Sequence, residues 1–86
     1  MEIKNIDKVI VRARQELEEN GVSLTFVTLQ EAVLQSKNPQ YMYKFVKYVE
    51  GANVERFGAA IRRTKDAKYI EKFEEFVKAN DEENDL

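Results

Sequence analysis

The amino-acid sequence predicts an all-α fold of about five helices, in which an N-terminal helix is followed by two stacked antiparallel helical hairpins, a short α-solenoid. Three observations predict this fold. Apolar residues recur at steps of three and four, a unit of 28 residues occurs twice, and the few Gly and Pro residues stand at segment ends. A chain of 86 residues has room for one such domain.

The segment that precedes the repeat predicts the first helix. Its apolar residues are spaced as a single helical stripe, formed by Ile6, Ile10, Ala13 and Leu17. Asn5 is placed to cap the first turn, and the pair Asn20 and Gly21 is placed to end the helix. This helix is therefore expected to pack through one face.

Residues 25–51 align with residues 53–79 without a gap when the chain is shifted by 28 positions. Apolar positions match in both halves of the unit, so each unit is predicted to be two amphipathic helices. A turn of two or three residues makes the two helices antiparallel neighbours. The identical pairs are Ala32/Ala60, Lys37/Lys65, Tyr41/Tyr69, Lys44/Lys72, Phe45/Phe73 and Val49/Val77.

Residues that favour helix N-caps stand before each helix of the repeat. Thr25 and Asn53 are predicted to cap the first helices of the two units, and Asn38 and Asp66 the second helices. Pro39 follows Asn38 at the first helical position, where its missing N–H is tolerated. These residues predict where each hairpin turns.

The two units differ at positions that form a second face. The apolar residues of unit one and their charged counterparts in unit two are Val27/Glu55, Leu34/Arg62, Tyr43/Glu71 and Val46/Glu74. Because a terminal repeat exposes the face that an inner repeat buries, we expect the N-terminal helix to cover unit one and unit two to cap the array. The predicted domain spans 1–80, divided into 1–24 (N-terminal helix and connection), 25–52 (unit one) and 53–80 (unit two), with 81–86 as an acidic disordered tail.

The repeat resembles a known sequence pattern. Residues 36–78 resemble the tandem two-helix repeats, of the form Y-I-Y-x-F-A-x-x-V-x-G-A-N-I-x-x-L-x-x-A-I, of uncharacterised bacterial and bacteriophage proteins. This chain departs from the pattern at Val46 and Glu74, where the family has Ala, and at Glu71, which replaces the second Tyr. The resemblance implies a short α-solenoid and carries no catalytic residues. Matching residues are Tyr41, Met42, Tyr43, Phe45, Val49, Gly51, Ala52, Asn53, Val54, Phe57, Ala60, Ile61, Tyr69, Ile70 and Phe73.

The composition argues against catalysis. The chain has neither His nor Cys, which removes disulfides, Cys/His zinc sites and His-dependent nucleophilic catalysis. Ser23 and Ser36 stand where caps or turns use a hydroxyl group, and neighbouring acids such as Glu74 and Glu75 do not converge on a pocket. We therefore predict no enzymatic activity, no catalytic residue, no cofactor and no metal site.

Targeting signals and charge bear on location and partners. The N-terminal segment lacks the features of a signal peptide, and no apolar run could span a membrane. With the absence of Cys, this predicts a cytoplasmic protein without membrane association.

The net charge of −2 is unevenly distributed along the chain. Residues 53–72 carry six basic and three acidic groups, whereas residues 73–86 carry one basic and six acidic groups.

Short helical repeats present extended surfaces, so we expect a protein-binding module, an adaptor or inhibitor of a host or phage protein. It is expected to be a monomer or a weak homodimer. The alternative function is a nucleic-acid-associated regulator that uses the basic segment 56–72. Tyr43 and Tyr48 could instead be buried beneath the N-terminal helix. The candidate contact residues are Tyr43, Lys47, Tyr48, Arg56, Arg62, Arg63, Lys65, Lys68 and Lys72.

Overall fold

The computed structural model describes residues 3–84, with side chains for residues 3–80. Its helices are α1 (Ile6–Asn20), α2 (Leu24–Gln35), α3 (Pro39–Tyr48), α4 (Val54–Arg63) and α5 (Ala67–Asn84). No strand occurs among the described residues, and the predicted all-α fold of five helices is confirmed. The order is one helix, then the hairpins α2–α3 and α4–α5.

The N-terminal helix α1 begins and ends at the predicted residues. The side chain of Asn5 accepts a hydrogen bond from the backbone N–H of Asp7 at 3.0 Å and caps the first turn. Gly21 has a φ of 71°, in the left-handed region that favours glycine, and its N–H donates to the carbonyl of Leu17. Ile6 and Ile10 are buried, so the predicted stripe faces the core.

The cap of α2 corrects the prediction. Ser23 caps this helix, rather than Thr25, because the Ser23 hydroxyl accepts from the N–H of Phe26 at 3.1 Å. The same hydroxyl donates to Oε1 of Glu16 on α1 at 2.7 Å. This bond to α1 ties the cap to the connection after Gly21, so α2 begins two residues earlier than its repeat partner α4 would suggest.

The turns inside the two hairpins have the same hydrogen bonds, 28 positions apart. Ser36 and Thr64 each donate a hydroxyl hydrogen bond to the carbonyl three residues earlier, both at 2.6 Å. Asn38 and Asp66 each accept from the backbone N–H three residues later, at 3.2 and 3.3 Å. These two predicted caps are confirmed, and the repeat extends to the geometry of its turns.

Helix α3 lies at the centre of the domain and packs against each of the other four helices. Its residue Phe45 is fully buried. The Phe45 ring centroid lies 6.3 Å from that of Phe26 on α2 and 5.2 Å from that of Phe57 on α4. One continuous core therefore runs through both hairpins, and the buried rings join the two repeat units.

The N-terminal helix does not cover the whole second face of unit one, in contrast to the prediction. Val46 is buried, but Val27 remains 36% exposed and Leu34 lines an open groove. Tyr43 packs against Tyr69 of α5. The single apolar stripe of α1 is too narrow to cover the whole face, so α5 covers part of it and part stays open.

Helix α5 extends beyond the predicted end of the domain. Residues 81–84, predicted as part of a disordered tail, continue the helix to Asn84, and residues 85–86 lie outside the described part of the chain. No helix breaker follows Asn80, and Glu is a good helix former. None of the helices in the described range is long and apolar enough to cross a membrane.

Candidate partner-binding surfaces

The structure places most of the predicted contact residues on two surfaces. The first, which we call the cation–aromatic surface, lies on α3 and α5. The second, which we call the α2–α4 groove, opens between α2 and α4 near the turns of the hairpins. The cation–aromatic surface consists of Tyr43, Lys47, Tyr48, Lys68, Tyr69 and Lys72.

A pair of tyrosine rings forms the centre of the cation–aromatic surface. The ring centroids of Tyr43 and Tyr69 are 6.0 Å apart and the rings are tilted by 51°. The Lys72 ammonium lies 5.9 Å from the centroid of the Tyr43 ring, and the Lys68 ammonium lies 5.5 Å from that of Tyr69. These distances are within the range of cation–π attraction.

Lys47 extends the surface towards α1. Its ammonium lies 5.6 Å from the centroid of the Tyr43 ring and 5.4 Å from that of Tyr48. Tyr48 is 50% exposed, which excludes the alternative in which α1 buries it. Beside it lies a depression of about 370 Å³ lined also by Arg14, Leu17 and Glu50.

Helical spacing explains why these side chains meet. Tyr43 and Lys47 are four residues apart on α3, and Lys68 and Lys72 are four residues apart on α5, so each pair shares one helix face. Helices α3 and α5 pack against each other, which brings the two faces together. The surface therefore combines both repeat units.

The lysines of this surface keep their charge available to a partner. Within residues 3–80 the ion pairs are Lys44 with Asp7, at 3.6 Å, and Arg56 with Glu31. In that range no carboxylate neutralises Lys47, Lys68 or Lys72. A partner that supplies carboxylates would meet ammonium groups already positioned by the rings.

The α2–α4 groove consists of two depressions of about 600 and 390 Å³. Leu34, Lys37, Ala60 and Arg63 line both depressions, which makes the groove continuous. The larger depression is also lined by Pro39, Met42, Thr64 and Asp66, and the smaller by Glu31, Gln35, Arg56 and Ala59.

The charged pair at one end of the groove is already formed. Both guanidinium nitrogens of Arg56 donate to the carboxylate of Glu31, with Nη2 to Oε2 at 3.1 Å. This hydrogen bonding by Arg56 lowers the pKa of Glu31, and the same bond raises the pKa of Arg56. Arg56 therefore joins the helices α2 and α4 and is less available to a partner than the other predicted cations.

The remaining predicted residues lie in separate places. The Arg62 guanidinium rests 5.8 Å from the centroid of the Phe73 ring, and Arg63 lines the groove. Lys65 is exposed in the turn of the second hairpin. The basic segment 56–72 thus contributes residues to both surfaces.

Sequence reasoning missed two members of these surfaces. Tyr69 matches Tyr41 in the repeat and lies outside the predicted contact residues, yet its ring packs against Tyr43 and the Lys68 ammonium lies 5.5 Å from its centroid. Lys37 matches Lys65 in the repeat, lies outside the predicted contact residues and lines the groove. The sequence feature that indicates the groove is Leu34, an apolar residue whose equivalent position in unit two holds the charged Arg62.

Among residues 3–80, no group of three or more Asp or Glu side chains could hold a metal ion. Comparisons of the chain with protein-family models, with curated proteins and with solved structures find no match.

Proposed function

We propose that this protein is a non-enzymatic protein-binding module that recognises an acidic patch on a partner protein through the cation–aromatic surface. The observation that supports the proposal is the Tyr43–Tyr69 ring pair with lysine ammonium groups 5.5 to 5.9 Å from its centroids. Packing between α3 and α5 fixes the rings, which reduces the entropy lost on binding. An adaptor or an inhibitor of a host or phage protein would use such a surface.

Charge and residue type favour an acidic protein partner. Tyr is enriched in protein interfaces because it supplies a large contact area with few rotatable bonds. Lys47, Lys68 and Lys72 add positive charge that steers an acidic surface into place. The half-exposed Tyr48 supplies the most accessible ring for a partner to contact.

The limited exposure of the tyrosine rings favours a protein partner over a nucleic acid. Single-stranded nucleic acids stack their bases on open aromatic faces. Here Tyr43 and Tyr69 are half-buried against each other, and a lysine ammonium lies near each ring of the surface, including Tyr48, whose centroid is 5.4 Å from Lys47. Binding a nucleic acid through the lysines remains the second candidate, because Lys47, Lys68 and Lys72 could contact phosphates.

Affinity purification tests the proposed function. The tagged protein is expressed in the organism that encodes it, a co-purifying protein is identified, and the purified pair is titrated. The double variant Lys47→Glu and Lys72→Glu should abolish binding, because the reversed charges repel an acidic patch. Lys8→Glu with Lys78→Glu changes the net charge equally on other exposed positions and should retain binding.

Two results would contradict the proposal. One is a partner whose affinity for the Lys47→Glu and Lys72→Glu variant equals its affinity for the native protein, with both helical by circular dichroism. The other is retardation of single-stranded DNA or RNA by the native protein at about 50 mM salt that the same substitutions remove, which would favour the nucleic-acid candidate.

A further inference from the structure

The α2–α4 groove combines an apolar floor with two cations that have no counter-ion among residues 3–80. Leu34 and Ala60 are half-buried in the floor, and the side chain of Met42 lies beneath them in the core. Lys37 and Arg63 line both depressions, and both residues are exposed. The groove therefore offers apolar contact and positive charge side by side.

The carboxylates of the groove are already occupied. Glu31 accepts both hydrogen bonds from Arg56. Asp66 accepts from the N–H of Tyr69 at 3.3 Å and caps α5. Because neither acid pairs with Lys37 or Arg63 in the described part of the chain, these cations can form ion pairs with a partner.

The backbone at both residues has a defined conformation. Lys37 has a φ of 55° in the turn between α2 and α3, where its N–H donates to the carbonyl of Leu34 at 3.3 Å. Arg63 is the last residue of α4. Both side chains thus project from ordered backbone, Lys37 from a turn and Arg63 from the end of α4, which reduces the backbone entropy lost on binding.

We propose that the α2–α4 groove binds a short acidic segment of a partner protein, in which an apolar side chain is flanked by carboxylates. The apolar side chain would lie against Leu34 and Ala60, and the carboxylates would pair with Lys37 and Arg63. The occupant is a peptide segment, because the groove is open and continues over two depressions, whereas sites for small molecules enclose most of the ligand. This site is separate from the cation–aromatic surface and does not depend on it.

Titration with defined peptides tests this proposal. The probe is a fluorescently labelled peptide of sequence Ser-Asp-Glu-Leu-Leu-Asp-Glu-Ser with blocked ends. Its binding to the full chain is measured by fluorescence anisotropy. One control peptide replaces each acid by Lys, and a second replaces each Leu by Ser. We expect saturable binding of the probe and, because each control lacks one of the two recognised features, no measurable binding of either control.

Matched variants locate the binding. Lys37→Gly with Arg63→Gln removes the two groove cations. It should raise the Kd of the probe peptide about ten-fold, as expected for the loss of two partly exposed ion pairs. Lys8→Gln with Arg12→Gln removes the same charge from α1 and should leave the affinity unchanged. Ala60→Gln places a larger side chain on the floor and should also weaken binding.

The results separate this proposal from the proposed function. Equal binding of the probe and the Leu-to-Ser control, or an affinity unchanged by Lys37→Gly with Arg63→Gln, would overturn the groove site. Loss of probe binding in Lys47→Glu with Lys72→Glu, but not in the groove variants, would also overturn it. Failure of the cation–aromatic surface to bind a partner would leave the peptide titration unaffected.

Discussion

Lys37 and Lys65 adopt the same left-handed backbone conformation at equivalent turns of the two hairpins, with φ angles of 55° and 60°. Each follows the residue whose hydroxyl closes the preceding helix, Ser36 or Thr64. A residue with a Cβ is strained in this conformation, whereas glycine is not. The repeat therefore preserves a strained turn as well as a core pattern.

Lys37→Gly and Lys65→Gly should each stabilise the fold. Relief of the left-handed strain, about 1–2 kcal/mol, exceeds the entropy that glycine loses on folding, so we expect a net gain of about 0.5–1 kcal/mol. Urea denaturation of each variant measures the free energy of unfolding. Lys78→Gly, on an exposed part of α5, is the control and should destabilise by about 1 kcal/mol. A loss of stability at both turns would contradict the assigned backbone conformation.

Local signals were sufficient to predict the helices and the caps inside the hairpins. The spacing of apolar residues and the residues Asn38, Asn53 and Asp66 act within one or two turns of chain, so they can be read from the sequence. The cap of α2 could not be transferred from the repeat. Ser23 replaces Thr25 there because its hydroxyl also bonds to Glu16 of α1, a contact outside the repeated unit.

The two surfaces depend on packing between elements, which local patterns do not reveal. Helical spacing predicts Tyr43 and Tyr69 as apolar-face residues, but their contact arises from the way α5 packs on α3. Likewise, Leu34 and Arg63 line one groove because α2 and α4 both pack on α3 and leave an open space between them. The basic residues of the two surfaces can therefore be predicted from the sequence for the most part, but their division between the surfaces cannot.

Gln30 is the one buried polar side chain among the described residues, and it connects the two hairpins. Its Oε1 accepts from the backbone N–H of Asn53, the cap of α4, at 2.9 Å. Gln30→Leu preserves the bulk and removes the acceptor, so it should destabilise by about 1–3 kcal/mol through the unsatisfied N–H. Thermal or urea unfolding checks this, with Gln35→Leu, exposed on the same helix, as a near-neutral control. Equal effects of the two variants would contradict the bridging role.

Gly58 lies within α4 and not at a segment end as predicted, because its missing side chain allows α4 and α5 to approach closely. A Cβ at this position would lie 2.7 Å from Cε1 and 2.8 Å from Cζ of Phe73, whose ring is buried. The helix preference of Ala, about 1 kcal/mol, is smaller than the cost of a displaced ring, so Gly58→Ala should destabilise by about 1–2 kcal/mol. Urea denaturation checks the direction and size of the change.

Gly51→Ala provides the comparison for Gly58→Ala. Its nearest contact would be the side-chain tip of Leu17 at 2.9 Å, which can rotate away, so the loss should be smaller. The double variant Phe73→Leu with Gly58→Ala should lose less stability than the sum of the losses of the two single variants, because Leu can adapt to the added methyl group. Strictly additive effects would show that the ring and Gly58 are not coupled.

Phe45→Ala and Phe73→Ala test the repeat through the core. Both rings are buried at equivalent positions of α3 and α5, so each substitution should destabilise by about 3–5 kcal/mol. Phe45 contacts Phe26 and Phe57, whereas Phe73 contacts Phe76, so Phe45→Ala should be the more severe of the two. Urea denaturation measures both, and values near zero would contradict the alignment of the two units.

The Glu31–Arg56 pair predicts a pH dependence of stability. Arg56 lowers the pKa of Glu31 below its ordinary value of 4.5 in the folded protein, so the pair stabilises the fold above that pH. This contribution is lost as the pH falls through the lowered pKa, because protonation of Glu31 removes the charge that pairs with Arg56. The free energy of unfolding of the native protein should therefore exceed that of Glu31→Gln at pH 7, and the difference should shrink at pH 3. Glu18→Gln, at an exposed position without an ion pair among residues 3–80, is the control, and an equal pH dependence in both variants would contradict the assignment.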